Sequence, residues 1–394
     1  MSEAEVIDGA VDAGWEGVRS AFQANFANGD EVGAGVAVYH RGRKVVDLWG
    51  GDFDRSSGSR YTDDALQLVF STTKGVVAIA VAMCVERGLL RYEDRVSTHW
   101  PEFAAHGKGD ATVAQLLSHQ CGLISVDDPI LLKEALDWET VTTCLADTIP
   151  DWPIGTSHGY HAITFGWLVG ELIRRVDPRG RKPGRFVADE IARPLGLDLW
   201  IGLPRRYESR VSPLIGGFVT FSDDPMVQAI SDELMDPESR TSRSFTVNGA
   251  FEGETTFNRR DVHAAQVPAV NGITNARSLA KLFAATMSPI DGVRLVGDAI
   301  LDRARTPVTP TGEVDLCLLV TTAYGMGFLT SDPFTVYAGP GSFGHTGAGG
   351  SIAFAQPERE LAFAYVMNKM ADVIGDTRSH GLIDAAVEAA DGRS

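Results

Sequence analysis

Ser71 and Lys74 stand three residues apart in Leu68-Val-Phe-Ser71-Thr-Thr-Lys74-Gly-Val-Val-Ala-Ile-Ala-Val-Ala-Met-Cys-Val-Glu86. At helical spacing i, i+3 their side chains share one face. The helix that this pattern predicts is apolar almost all round. It therefore lies buried, and a lysine in its first turn loses water and shifts toward the neutral amine. A neutral amine takes a proton from a hydroxyl. The helix mouth adds unpaired N–H groups and a positive dipole end, which suit the oxyanion formed when a serine attacks a carbonyl. Nucleophile, base and part of an oxyanion hole thus fit into four residues. The same spacing also describes a serine N-cap beside a solvated lysine, but such a cap needs no long apolar helix behind it.

Two further segments add constraints. Trp152-Pro-Ile-Gly155-Thr-Ser-His-Gly159-Tyr160-His161 places Tyr160 in a Gly-rich loop just before a predicted helix. Phe343-Gly-His345-Thr-Gly347-Ala348-Gly-Gly-Ser351 introduces a strand through small residues that let a substrate approach the backbone. Competing signals are weaker. Gly155-Thr-Ser157-His-Gly159 matches the G-x-S-x-G nucleophile elbow, with His345 or His380 as a partner. An elbow follows a buried strand, however, and the prolines and acids of Ala146-Asp-Thr-Ile-Pro-Asp-Trp-Pro-Ile154 supply none. His158 and His161 lack a third ligand at metal spacing and read as loop residues. Asp52, Asp54, Ser56 and Asp63 read as a solvated turn rather than a calcium loop. Trp152 and Trp167 belong mostly to the core, with an acyl-pocket wall as the other reading.

Taken in order, Ser71-Thr-Thr-Lys74, Tyr160-His-Ala162 and His345-Thr-Gly347 make the chain resemble the serine β-lactamase and penicillin-binding-protein-like hydrolases. Within them it looks like the class C-related, family VIII carboxylesterases. Leu116-Leu-Ser-His-Gln-Cys-Gly-Leu123, Arg193-Pro-Leu-Gly-Leu197 and Asn271-Gly-Ile-Thr-Asn275 support the likeness, which runs from about residue 30 to 370. The resemblance implies that Ser71 is acylated, that Lys74 is its proton partner, and that Tyr160 completes the base with a hydroxyl polarised by Lys74. It also implies an oxyanion hole from the backbone N–H groups of Ser71 and Ala348, with His345 and Gly347 facing the substrate. Two departures bear on that substrate. His345 replaces the lactamase lysine that holds a carboxylate, and Ala162 replaces an asparagine amide. Both favour small, short-chain acyl esters, hydrolysed without metal or organic cofactor. The alternatives are β-lactam, amide or D-amino peptide hydrolysis at the same residues, or an inactive binding protein.

The elements that must position these groups follow from periodicity. Val36–His40 and Lys44–Trp49 predict a hairpin around a Gly-containing turn. Phe334–Tyr337, Ser351–Ala355 and Leu361–Met367 predict strands, and Leu382–Ala390 a helix. Gly75–Leu90, Val113–Leu117, Ala162–Val176 and Phe186–Ala192 carry helical spacing. The expected fold is α/β of the α+β type, β-lactamase-like. Residues 1–85 and 205–394 form an antiparallel sheet flanked by helices, and 86–204 form a mainly helical insert. Residues 205–268, with scattered apolar positions such as Ile215 and Phe218, read as an irregular excursion that shapes the pocket.

Composition sets the outer bounds. The 394 residues are 44% hydrophobic and 22% charged, which fits a folded globular chain. The net charge of -17 argues against nucleic acid and anionic membranes, which require a basic footprint. Cys84, Cys121, Cys144 and Cys317 are scattered, without C-x-x-C spacing, and suit a reducing compartment. No basic-apolar leader and no membrane-spanning run stands out, so a cytoplasmic enzyme acting on a small-molecule ester is expected. The oligomeric state is left open.

Overall fold

The structure is a computed structural model. It describes residues 7–54, 56, 58–216, 225–253, 255–310, 312–332, 335, 337–371 and 376–392. Strands β1 (Ile7–Val11), β2 (Gly33–His40), β3 (Arg43–Asp54), β4 (Ser59–Arg60), β5 (Gln67–Leu68), β6 (Leu199–Ile201), β7 (Gly272–Thr274), β8 (Leu329–Thr330), β9 (Phe343–Thr346), β10 (Ile352–Gln356) and β11 (Leu361–Met367) form two sheets. The main sheet runs β1-β3-β2-β11-β10-β9-β8, with β4 on β3, and a small one runs β5-β7-β6.

Both chain ends build the main sheet, as expected. The β2–β3 hairpin turns at Arg41 and Gly42, both at positive φ, as a two-residue turn matching the strand twist requires. β2 then pairs β11 antiparallel from Ala34↔Met367 to His40↔Leu361. Every residue of β10 and β11 is buried, because helices cover both faces. Ala276–Met287 packs on β2, β10 and β11, while Glu16–Ala27 and Arg378–Ala390 pack on each other.

The helix Thr72–Glu86 is buried from Thr72 through Cys84, as its nearly uniform apolarity demands. It is wedged between β9, β10 and the helix Thr164–Val176. Contact is close: a Cβ on Gly75 would lie 2.9 Å from the Phe283 ring. Residues after Glu86 are mainly helical up to Leu195, and β6 closes that stretch. Among the described residues, no helix is long and apolar enough to cross a membrane.

Two expectations need correction. Residues 205–268 are not irregular throughout, since helices Pro225–Met235, Arg240–Thr246 and Arg260–Ala264 lie within them. The helix Arg240–Thr246 is polar and hides from apolar periodicity. The Ser239 hydroxyl caps it by accepting from Ser242 N at 2.9 Å, and Arg243 ties it to Asp151. Phe218 lies outside the described residues. Of the expected strand Phe334–Tyr337, Phe334 and Val336 lie outside the described residues, while Thr335 carries no strand and Tyr337 sits in a bend, its ring 4.9 Å from that of Phe354.

Candidate active site

β5 leads into the turn that presents Ser71. Phe70 is held at φ +42°, a left-handed conformation costing about 1–3 kcal/mol for such a residue. Thr73 Oγ1 donates to Phe70 O at 2.5 Å. Gly272 N donates to the same Thr73 hydroxyl at 2.9 Å, and a Cβ on Gly272 would lie 2.5 Å from it. The turn is thereby locked from β7. Ser71 stands at the N-cap position, yet its side chain makes no cap hydrogen bond. The N-cap reading of this serine therefore fails, and its hydroxyl is free for Lys74 and Tyr160.

Lys74 is fully buried, and burial holds its amine well below the usual lysine range. Nζ lies 2.6 Å from Ala162 O, 3.3 Å from Ala269 O and 3.0 Å from Ser71 Oγ. A neutral amine has two N–H groups and one lone pair. With the two carbonyls accepting those N–H groups, the lone pair of a neutral amine would be left for Ser71 Oγ.

Burial, opposed by the neighbouring Ser71 hydroxyl and aided by the nearby Asp315 carboxylate, pushes the Tyr160 phenol upward, so it stays protonated at neutral pH. Lys74 Nζ lies over the Tyr160 ring, 4.6 Å from its centre. Backbone bonds hold the loop around Tyr160. Tyr160 N donates to Asp315 Oδ1 at 2.9 Å. Ser244, on the polar helix Arg240–Thr246, donates to Tyr160 O at 2.5 Å and accepts from Ala162 N at 2.9 Å. Ser244 thus fixes the turn that supplies both the phenol and the Ala162 carbonyl. Neither Asp315 nor Ser244 has a local sequence signal. His119 belongs to a motif noticed in the sequence, and it closes the same loop by accepting from His161 N through Nδ1 at 3.1 Å.

β9 brings His345 to the site, its ring 5.9 Å from that of Tyr160. Nδ1 lies 2.6 Å from Thr346 O, which can only accept, so Nδ1 carries the proton. Nε2 keeps a buried lone pair without a partner among the described residues. Burial and the nearby Lys74 push the imidazole down to about 3, so it is neutral. Gly347 seats β9 against the Ser71 turn: a Cβ there would fall 2.3 Å from both Val69 O and Ser351 Oγ. Ser351 Oγ bonds Val69 O at 2.8 Å and lies 3.0 Å from Thr72 Oγ1. Among the described residues, the N–H groups of Ser71 and Ala348 reach no backbone carbonyl.

The competing residues lie elsewhere or are occupied. Ser157 Oγ donates to Thr156 O at 2.9 Å, in a loop with no strand before it. His161 donates from Nδ1 to Gly159 O and accepts from Leu123 N, and His158 bonds Thr322. Trp167 is fully buried, and Trp152 is buried and backs Gly159.

This arrangement has known counterparts. Residues 18–387 match the Beta-lactamase family. The chain belongs to that family. It is 33% identical over 385 residues to "Esterase/beta-lactamase LipL" of Mycobacterium tuberculosis, covering 95% of this chain and 86% of that protein. A crystal structure of a family VIII carboxylesterase superposes with a TM-score of 0.86 at 34% identity, covering 98% of this chain and all of the other. A penicillin-binding protein homolog from Caulobacter crescentus superposes with a TM-score of 0.84 at 38% identity, with 98% and 100% covered. The family's mixed fold, an antiparallel sheet with many helices, is the fold found in this chain.

Proposed function

We propose that the chain is a serine carboxylesterase that hydrolyses small, short-chain acyl esters through an acyl-enzyme on Ser71. The observation that carries this reading is the Lys74 amine. It is dry, two carbonyls accept from its Nζ, and that Nζ lies 3.0 Å from Ser71 Oγ.

Lys74 takes the Ser71 proton as Oγ bonds to the ester carbonyl carbon. The oxyanion lies between the N–H groups of Ser71 and Ala348. The ammonium formed on Lys74 meets the faces of Tyr160 at 4.6 Å and Phe165 at 5.9 Å, which partly replace lost water. The Tyr160 hydroxyl passes a proton to the leaving alkoxide and is reprotonated from Lys74. The carbon–oxygen bond to the alcohol breaks, and acyl-Ser71 remains. Water then gives its proton to the same base and attacks the acyl carbon. The proton returns to Ser71 Oγ as the acid departs.

Gly347 and His345 bear on specificity. Gly347 lets the strand seat against the Ser71 turn, and the neutral His345 offers a lone pair rather than a positive charge. A β-lactam carboxylate finds no cation there, whereas an uncharged ester needs none. The second reading, β-lactam hydrolysis at the same residues, draws support from the 33% identical relative with "beta-lactamase" in its name. Turnover of p-nitrophenyl acetate against nitrocefin separates the two. Faster ester turnover is expected, and equal or faster nitrocefin turnover overturns the esterase reading. Four unpaired cysteines, three of them buried, support a cytoplasmic location.

A further inference from the structure

A buried ionic cluster abuts the turn that carries Ala348, and no step of acyl transfer uses it. Arg378 opens the helix Arg378–Ala390 and is 6% exposed, Glu31 is 2% exposed, and Tyr365 is fully buried. Arg378 donates to Asp376 through Nε and Nη2, each at 2.9 Å, and to Glu31 Oε2 through Nη1 at 3.3 Å. The Tyr365 hydroxyl donates to the other Glu31 oxygen. The guanidinium makes two more bonds, both to carbonyls: Nη1 to Lys369 O at 2.9 Å and Nη2 to Gly349 O at 2.6 Å. Gly349 O also accepts from Ala371 N at 3.1 Å.

Such a cluster is expensive to bury, and an apolar group of equal volume would serve stability as well or better. Burial pushes the Glu31 carboxyl up to about 7 despite the pull of Arg378. What an apolar group does not do is fix the direction of a carbonyl. The turn in question needs that. Gly349 and Gly350 both sit at positive φ, +81° and +118°, and have no side chains to hold their own shape. The cluster presses directly on them: a Cβ on Gly350 would lie 2.1 Å from Asp376 Oδ2 and 2.6 Å from Arg378 Nη2.

We propose that Arg378 is a positioning residue of the oxyanion hole. Clamped by Asp376 and Glu31, it fixes the Gly349 carbonyl and so aims the Ala348 N–H, two peptide planes earlier, at a carbonyl oxygen bound to Ser71. This rests on the acyl-enzyme reading above.

The test compares Arg378→Lys, which keeps the charge but loses the planar fork, with Asp376→Asn, which leaves Arg378 in place and loosens one side of its clamp. The second variant decides the question if the first does not fold. Complete loss of one oxyanion donor costs about 10²–10³ in kcat, so misaiming it lowers kcat about 10- to 100-fold in R378K and about 3- to 10-fold in D376N. KM for p-nitrophenyl acetate stays within about threefold, because the ground-state carbonyl gains little from the hole. Affinity for a trifluoromethyl ketone, whose serine adduct carries the oxyanion, falls in parallel with kcat/KM. A purely structural role would not link those two quantities. A folded variant that retains wild-type kcat, or that loses KM while keeping kcat, overturns the proposal. Labelling the wild-type chain with a fluorophosphonate separates the two levels. An adduct away from Ser71 defeats the acyl-enzyme reading, whereas an adduct on Ser71 with kcat retained in the variants defeats only the role of Arg378.

Discussion

Replacing Gly347 by alanine perturbs the seating of β9 against Ser71 without touching a reacting atom. Gly347 has φ -125°, so the backbone itself accepts alanine. The space does not. The new Cβ would fall 2.3 Å from Val69 O and Ser351 Oγ and 2.9 Å from Thr72 Oγ1, whereas ordinary contact begins at 3.4 Å. Val69 O is backbone and cannot swing away, so the strand must retreat by about 1 Å, a displacement that costs up to about 10² in rate when it separates groups aligned on the reacting atoms. Overpacking adds about 1–3 kcal/mol of destabilisation. Ala348 follows Gly347 directly, and its N–H moves with the strand. The expected outcome for G347A is therefore kcat about 100-fold lower with KM little changed, in a chain that still folds. Stopped-flow release of p-nitrophenol, paired with thermal unfolding, measures both. A folded G347A with kcat within about threefold of wild type would refute the reasoning, since it would mean that the strand tolerates the displacement or that Ala348 is not part of the hole.

Lys74→Met removes the base while keeping the helix packed, and kcat/KM is expected to fall by about 10²–10⁴. The same variant carries a stability signature. Above the depressed pKa of native Lys74 the folded chain holds a neutral amine, whereas the unfolded chain stays protonated up to the ordinary lysine value. Unfolding then takes up a proton, so native stability climbs with pH across that window, and K74M loses this part of the slope. Urea unfolding at a series of pH values reads it, and an unchanged slope contradicts a buried neutral amine. His345, pushed down to about 3, is expected to show no titration between pH 5 and 8, with its proton on Nδ1. Nitrogen-15 NMR of the imidazole checks this, and a midpoint above pH 6 would mean that a cation is available to a carboxylate after all.

The parts of the site that were legible in advance are those whose chemistry is local. Ser71 and Lys74 share one helical face, and the apolar run behind them already dictates a dry amine. Tyr160 announces itself through the glycines before it, one of which is compulsory: a Cβ on Gly159 would lie 2.7 Å from the Trp152 ring. The hairpin and β11 follow from alternation and burial in the same way. What stayed hidden is held by long-range hydrogen bonds. Ser244 is one polar residue in a polar helix until its hydroxyl meets Tyr160 O and Ala162 N, more than eighty positions earlier. Asp315 becomes an anchor only when the fold brings Tyr160 N and the N–H groups of Cys317 and Leu318 to one carboxylate oxygen. The strained φ of Phe70 likewise leaves no trace in residue type. Ala162 lacks a side-chain amide, yet its carbonyl is what receives the lysine.

The central claim is that Ser71 is esterified during turnover, and rapid-quench mass spectrometry with a short-chain p-nitrophenyl ester reads it directly. The account predicts a transient mass increase equal to the acyl group on the peptide that contains Ser71, absent in Ser71→Ala and unaffected by Ser157→Ala. An acyl group on any other residue, or undiminished turnover in S71A, would contradict it.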